Sequence, residues 1–200
     1  MTTAQAEILS DASPLRRENL VARLGLACMV AALLSGVLNG IWELARPTIG
    51  DPQMFASVPP VQLWGHSILE VIKAAGFLAG LFGFYLYATK RGRITKVFMV
   101  LAVLGGILYA GVQVWIATTG RFTIMYVLGG MWYQMIAPVA LGVAALFARR
   151  VSWWKGAWAV SVGVVNSQIF PLLGPAKALI VQGVIWLVFG YLVYSLRRRA

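Results

Sequence analysis

The chain has 200 residues, of which 60% are apolar and 12% are charged, and its net charge is +11. Soluble domains carry about 45–50% apolar and about 25% charged residues, so this composition excludes an ordinary soluble domain. The single cysteine, Cys28, excludes an internal disulfide and cysteine-based zinc or iron–sulfur centres within this chain. We therefore predict an all-α integral membrane protein without a separate soluble domain.

Six apolar stretches follow one another along the chain. About 20 helical residues at 1.5 Å each cross ~30 Å of hydrocarbon, and each stretch is about that long. Residues 1–20 are predicted to be a short cytoplasmic tail, and residues 21–200 a single bundle of antiparallel transmembrane helices. The predicted helices cover 22–45, 62–88, 95–118, 123–148, 154–173 and 178–196. The connections are short except for 46–61, which is rich in proline and is predicted to be irregular.

The basic residues lie at alternate ends of these stretches. Four clusters of three, four, three and three residues contain 13 of the 17 Lys and Arg: Arg16, Arg17 and Arg23; Lys90, Arg91, Arg93 and Lys96; Arg149, Arg150 and Lys155; Arg197, Arg198 and Arg199. Positive charge near membrane helices marks the cytoplasmic side, so both termini are predicted to be cytoplasmic, in the inner (plasma) membrane of a bacterium. The expected partner of this charge is the anionic head-group layer rather than nucleic acid.

Small residues recur at four-residue spacing in the first three predicted helices. They are Ala32, Gly36 and Gly40, then Gly76 and Gly80, then Ala102, Gly106 and Ala110. Such residues let helix backbones approach closely in lipid, so we predict packing seams within the bundle, with a homodimer interface as the alternative. Pro138 is predicted to kink the fourth helix, because proline cannot donate a helical hydrogen bond.

The second predicted helix carries His66, Glu70 and Lys73. Offsets of four and three residues place all three on one helical face. A charge near the membrane centre costs about 2.5–3.5 kcal/mol or more, so it needs a partner. We predict that Glu70 pairs with both His66 and Lys73. The group is either a structural ion pair or a column that handles protons or binds a ligand.

Most other polar side chains of the predicted helices fall toward the outer side of the membrane. Glu43 ends the first helix, where it either pairs with Arg46 or faces a site. The stretches toward the inner side, such as 77–86 and 139–148, are almost purely apolar. We therefore predict a polar pocket that opens outward and is closed below by apolar side chains. Its expected ligand-binding residues are Lys73, Asn39, Trp42, Gln113, Trp132, Tyr133, Gln134, Asn166, Gln168 and Gln182.

Two short motifs resemble those of membrane enzymes that act on isoprenoid or sterol substrates. Residues 39–43, Asn-Gly-Ile-Trp-Glu, resemble the N-x-x-W-E motif of integral-membrane terpene cyclases, whose glutamate is implicated as the acid. Residues 66–70, His-Ser-Ile-Leu-Glu, are similar to the H-x3-E pair of the sterol-isomerase type. Each resemblance covers five residues, and the sixth predicted helix lacks the acidic residue that the cyclase pattern expects. The resemblance implies acid–base chemistry.

The sequence favours a multi-pass membrane protein whose pocket binds a small lipophilic or amphipathic molecule, either as an acid–base enzyme of the isomerase or cyclase type or as a binding protein. In that enzyme Glu70 and Glu43 act as proton donor and base, and His66 tunes or relays the proton. One histidine cannot build a histidine-rich metal centre, and nucleotide-binding motifs are absent, so no metal or cofactor is expected. The alternatives are an accessory or assembly subunit of a larger membrane complex and a small proton-coupled transporter.

Overall fold

The computed structural model describes residues 14–45, 58–90 and 92–196, without the side chains of 14–17, 169–171 and 175. Every regular element in these ranges is helical. In chain order they are α1 Pro14–Ala31, π1 Ala32–Leu38, α2 Asn39–Ala45, α3 Pro60–Ala88, α4 Arg93–Thr119, α5 Met125–Met131, π2 Trp132–Ile136, α6 Ala137–Ala148, α7 Trp153–Leu173 and α8 Pro175–Ser195. The first three elements run on as one helix, which we call the first rod, and α5, π2 and α6 run on as another, which we call the fourth rod because it matches the fourth predicted helix.

The helix ends follow the local sequence signals closely. Pro60 and Pro175 occupy the first turn of their helices, where the missing N–H costs nothing. Gly120 ends α4 in the left-handed conformation at φ 65°, and its N–H bonds to the carbonyl of Ile116. Five of the six predicted helices lie within a few residues of the observed ones. The first begins at Pro14, within the segment that is predicted to be a tail.

Five helical stretches are long and apolar enough to cross a membrane. They are Glu18–Ala45, Pro60–Ala88, Arg93–Thr119, Met125–Ala148 and Ala176–Ser195. Large apolar side chains such as Val30, Leu104 and Ile107 lie exposed on the outside of the bundle. Exposed apolar surface of this extent fits contact with lipid rather than with water. The helices thus indicate a multi-pass membrane protein. The predicted fifth span, 154–173, corresponds to α7, which is not among the five stretches.

The glycine seams lie inside the bundle. Gly36 packs directly on Gly183, so that π1 and α8 touch at the backbone, and Gly76 packs on Ala31 across the contact of α3 with α1. A Cβ atom at Gly36 or Gly76 would collide with these neighbours. These close approaches confirm that glycine is needed for helix packing, and they occupy the two seams within one chain.

The helix contacts define two ends of the molecule. Gly25 packs on Tyr194, and Lys155 at the start of α7 donates to Ser195 of α8 at 3.4 Å, so the start of α1, the end of α8 and the α6–α7 connection share one end. We call it the termini end, and the other end, where α2 finishes and α3 begins, the opposite end. The described residues of the basic clusters in the connections lie at the termini end: Lys90, Arg93, Lys96, Arg149, Arg150 and Lys155. Arg91 and Arg197 to Arg199 fall outside the described residues.

The fourth rod departs from α geometry beside Pro138. In an α-helix residue 138 would donate its N–H to the carbonyl of Gln134, and proline has none. The structure has π2 at this point, and the Gln134 carbonyl accepts a hydrogen bond from the Asn166 side chain of α7 at 3.1 Å. The irregularity predicted at Pro138 therefore takes the form of a π segment whose freed carbonyl is satisfied by a neighbouring helix.

Aromatic side chains fill the middle of the bundle toward the termini end. The rings of Phe77 and Trp186 stack with centroids 4.0 Å apart, and Phe189 meets Trp186 edge-on at 5.3 Å. Phe84 packs on Phe189 at 5.5 Å. These buried rings form the apolar layer that the sequence predicts below the polar residues.

Candidate functional site

A groove lies between the first rod and α3, at the opposite end of the bundle. It encloses about 480 Å³. Its lining residues are Leu34, Leu38, Asn39, Trp42, Glu43, Val61, Gln62, Gly65, His66 and Leu69. At its rim Trp42 is 54% exposed and Val61 is 83% exposed, so the groove opens through apolar side chains at the surface of the bundle.

The inner wall of the groove is polar. Glu43 is 4% exposed, and its Oε1 lies 3.5 Å from Nδ1 of His66. Neither of these two atoms, nor Nδ2 of the buried Asn39, makes a hydrogen bond with any described residue. A carboxylate, an imidazole and an amide that line one cavity thus carry hydrogen-bonding atoms that no described residue satisfies. The predicted pairing of His66 with Glu70 is corrected, because His66 lies against Glu43 of the neighbouring helix; Arg46 is outside the described residues.

The local fold explains why Asn39 and Glu43 share a wall of the groove. They are four residues apart in α2 and therefore lie on one helical face. The wider turn of π1 precedes them, and the Asn39 N–H reaches back five residues to the Leu34 carbonyl. On the next face Gly40 lies against Ile180 of α8. The first rod can therefore pack on α8 and still direct Asn39 and Glu43 toward α3.

A second polar group is buried between α3, α4 and the fourth rod. Glu70 is fully buried, and its Oε2 accepts hydrogen bonds from the ammonium of Lys73 and the hydroxyl of Tyr109. Since Tyr109 directs its one hydroxyl hydrogen to Glu70, Tyr126 is the donor in the 3.1 Å bond between the two hydroxyls. The predicted Glu70–Lys73 pair is confirmed. Oε1 of Glu70 has no hydrogen-bond partner among the described residues.

Side-chain amides continue this group toward α7 and α8. Nε2 of Gln182 donates to Oε1 of Gln134 at 2.5 Å and to Oδ1 of Asn166 at 3.1 Å. Nε2 of Gln134 donates to the Tyr133 hydroxyl at 2.5 Å, and the Tyr133 ring meets Tyr109 edge-on. We call these connected residues the polar cluster: Glu70, Lys73, Tyr109, Tyr126, Tyr133, Gln134, Asn166 and Gln182.

The remaining predicted site residues make fewer contacts. Gln113 is buried beside Tyr126, and its amide group makes no hydrogen bond of ideal geometry with a described residue. Trp132 is partly buried, and its Cβ faces Gly105. Gln168 is exposed and donates to the Ser167 hydroxyl at 3.2 Å, so it lines neither the groove nor the cluster.

The single pocket predicted from the sequence is therefore divided in two. Asn39, Trp42, Glu43 and His66 line the open groove. The other predicted residues that are brought together belong to the polar cluster, in which hydrogen bonds within the chain use most of their polar atoms. In the described part of the chain no three His, Cys, Asp or Glu side chains converge on a point that could hold a metal ion.

Tyr109 and Tyr126 are the members of the cluster that the sequence did not single out. Both are tyrosines toward the opposite end of their helices, where the sequence predicts the other polar residues. A buried tyrosine usually finds a hydrogen-bond partner for its hydroxyl. The location of these two tyrosines among the predicted polar residues could therefore have indicated that they belong to the cluster. The apolar residues of the groove, Leu34, Leu38, Val61 and Leu69, carried no such signal, because leucine and valine are common at lipid-facing positions.

No protein-family model matches the chain, and no similarity was found to the curated proteins or to the solved structures. The groove and the polar cluster are therefore the features from which a function can be inferred.

Proposed function

We propose that the chain crosses the inner membrane six times, with α7 as the additional span and the termini end in the cytoplasm. Two considerations support this. α7 has 21 residues, which is long enough to cross, and it packs against α6 and α8. The described basic clusters of the connections share one end, as the positive-inside rule requires. On this orientation the groove lies in the outer half of the membrane.

We propose further that the groove binds a small amphipathic molecule. The observation that carries this is a buried carboxylate and imidazole, with unused hydrogen-bonding atoms, inside a cavity that opens between apolar side chains. A volume of about 480 Å³ lies within the roughly 300–1,000 Å³ of small-molecule pockets. The ligand's polar end would contact Glu43 and His66, and its apolar part would contact Leu38, Trp42 and the neighbouring lipid.

The same wall defines the chemistry that the ligand can undergo. Glu43 and His66 are the two groups lining the groove that can exchange a proton with a bound molecule. A hydroxyl or amine on the ligand satisfies both, and a proton transferred between ligand and protein is the elementary step of an acid–base isomerase or cyclase. Binding is the primary proposal, and acid–base turnover of a ligand that has a reactive double bond is the enzymatic form of it.

The polar cluster has a structural role in this proposal. Lys73 forms an ion pair with Glu70 within the bundle, and Tyr109 donates a hydrogen bond to the same carboxylate. Neither Lys73 nor Glu70 lines the groove. A buried ion pair of this kind constrains which helix faces meet, since any other packing would leave a charge unpaired in an apolar surrounding.

Filling the groove tests the proposal. Gly65 lines the groove on α3, and a Cβ atom added there meets nothing within 4 Å, so Gly65→Leu starts a side chain at the groove with no clash at its Cβ. Gly111 on α4 is a matched control, because it is also helical, exposed and free of neighbours within 4 Å. Both leucines favour the helix over glycine, so neither should unfold it.

The measurement is photolabelling in phosphatidylcholine nanodiscs with a long-chain alcohol and a long-chain amine that each carry a diazirine. We expect label on residues of the groove wall in the wild type, loss of that label in Gly65→Leu and retention in Gly111→Leu. Equal labelling of the groove wall in Gly65→Leu and in the wild type would overturn the proposal, as would label spread evenly over the lipid-facing surface.

A further inference from the structure

A second cavity, at the termini end, has the opposite character to the groove. It encloses about 420 Å³ between the α6–α7 connection, the end of α3 and the end of α8. Its lining residues are Tyr87, Arg149, Arg150, Val151, Ser152, Lys155 and Leu196. Three of these seven side chains are cationic and none is acidic. The lining therefore favours an anion.

The polar atoms of the cavity are held in place by the surrounding helices. Lys155, in the first turn of α7, is 4% exposed and donates to the Ser195 hydroxyl of α8 at 3.4 Å. Its Nζ lies 5.6 Å from the centroid of the Trp154 ring. The Ser152 hydroxyl is buried without a hydrogen bond to any described residue. A fixed ammonium and an unused hydroxyl thus lie beside the start of a 21-residue helix, where the backbone dipole also favours negative charge.

The backbone at Arg149 gives an independent indication. Arg149 ends α6 with φ 51°, and it is the one non-glycine residue with positive φ in the described part of the chain. Glycine is the residue that takes this helix-ending conformation without steric cost, and it does so at Gly120 of this chain. An arginine at such a position suggests that its side chain is needed, and this side chain lines the cavity.

We propose that this cavity binds a phosphate group, either on the head of an anionic lipid or as free phosphate. Arginine guanidinium groups pair with phosphate oxygens through two parallel hydrogen bonds, and a lysine adds a point charge. The Ser152 hydroxyl can donate a further bond. The site is separate from the groove, at the other end of the bundle, and it does not depend on what the groove binds.

Arg149→Gly is the most informative variant, because it removes the cation and relieves the backbone at the same time. The folded protein should keep or gain thermal stability, so a loss of binding cannot be attributed to unfolding. Arg150→Gln removes a second cation of the lining. Lys96→Gln is the matched control, since Lys96 is an exposed cation at the same end and does not line the cavity.

The test is native mass spectrometry of the full chain released from nanodiscs of equal parts phosphatidylglycerol and phosphatidylcholine with identical acyl chains. The wild type should retain phosphatidylglycerol selectively, and Arg149→Gly and Arg150→Gln should each reduce retention roughly tenfold, as expected for a lost charge-assisted bond. Lys96→Gln should change it less than about twofold, because Lys96, which is exposed like Arg149 and Arg150, does not line the cavity.

Inorganic phosphate distinguishes the two sources of the phosphate group. If millimolar phosphate displaces the lipid, or raises the thermal stability of the wild type but not of Arg149→Gly, the cavity recognises phosphate from either source. If lipid retention is selective and phosphate has no effect, the ligand is the lipid head group. The proposal is overturned if Lys96→Gln weakens retention as much as Arg149→Gly. It is also overturned if the wild type neither prefers phosphatidylglycerol nor responds to phosphate.

Discussion

Two carboxylates in neighbouring helices of this protein have opposite surroundings. Glu70 accepts hydrogen bonds from Lys73 and Tyr109 within the bundle and is fully buried. Glu43 is also buried, but it lines an open groove, and its Oε1 lies 3.5 Å from Nδ1 of His66. The sequence assigns both acids to one pocket. The structure assigns one of them to the interior of the bundle and the other to a cavity.

The different surroundings of Glu70 and Glu43 show what makes one intramembrane acid structural and leaves another available for function. An acid that accepts hydrogen bonds from an ammonium and a hydroxyl of the chain, as Oε2 of Glu70 does, is part of the packing, because removing it leaves those buried donors without an acceptor. An acid with unused capacity beside a cavity stabilises the fold little and can bind something else. Burial alone does not separate the two cases, since both residues are buried. The two acids differ in their hydrogen-bond partners and in whether a cavity lies beside them.

The largest expected effect on stability comes from breaking the Glu70–Lys73 pair. Glu70→Gln leaves a buried ammonium without its carboxylate, and removing one partner of such a pair costs about 3–5 kcal/mol. Lys73→Met should cost less, because Tyr109 still donates to Glu70. The double variant should recover much of the loss. Unfolding by SDS in mixed micelles measures all three, and strictly additive effects would show that the two side chains do not interact.

A smaller effect is expected at the amide end of the polar cluster. Asn166→Leu removes the donor to the Gln134 carbonyl and an acceptor for Gln182, so it should destabilise by about 1–3 kcal/mol. Adding Pro138→Ala should restore part of the lost unfolding free energy, because alanine supplies the backbone N–H that proline lacks and can bond to the Gln134 carbonyl. Gln168→Leu, an exposed amide on the same helix, is the control and should change the unfolding free energy little. No rescue by Pro138→Ala would mean that Asn166 does not replace the missing N–H.

The hydroxyl of Tyr126 should matter less again. Its hydrogen bond is to the neutral hydroxyl of Tyr109, and such a bond contributes about 0.5–1.5 kcal/mol, so Tyr126→Phe should cost about that much. Tyr109→Phe should cost more, since Tyr109 donates to a carboxylate and bonds to charged groups contribute about 1.5–3 kcal/mol. The same SDS titration measures the unfolding free energy of both variants. A larger loss in Tyr126→Phe than in Tyr109→Phe would show that Tyr109 does not donate to a charged Glu70.

Much of the fold could be predicted because lipid imposes simple rules. Helix length, proline at helix starts and glycine spacing are local features, and they gave five of the six helices to within a few residues. The pairing of Glu70 with Lys73 was predictable because both are on one helix, three residues apart. The glycine seams were predictable for the same reason, since their spacing is that of one helical turn.

The division of the polar residues could not be predicted, because it depends on contacts between helices. π1 changes which residues of the first rod face α3, and no residue type in Ala32–Leu38 indicates a π segment. His66 could face Glu70 on its own helix or Glu43 on the next, and only the crossing of the two helices decides between them. The partners of Tyr109 and Asn166 likewise come from other helices.

The smallest effect on stability, and the one that separates the two acids most clearly, is expected at Glu43. Oε1 of this residue lies 3.5 Å from Nδ1 of His66 without a hydrogen bond, whereas Oε2 of Glu70 accepts from two donors, so Glu43→Gln should change the unfolding free energy by less than about 1 kcal/mol. The same variant should lose most of the amine-probe label in the groove, because the amine's ionic partner is gone. His66→Gln should weaken labelling while leaving the fold intact. If Glu43→Gln instead destabilises the bundle as much as Glu70→Gln, both acids are structural, and the groove has no binding role that depends on charge.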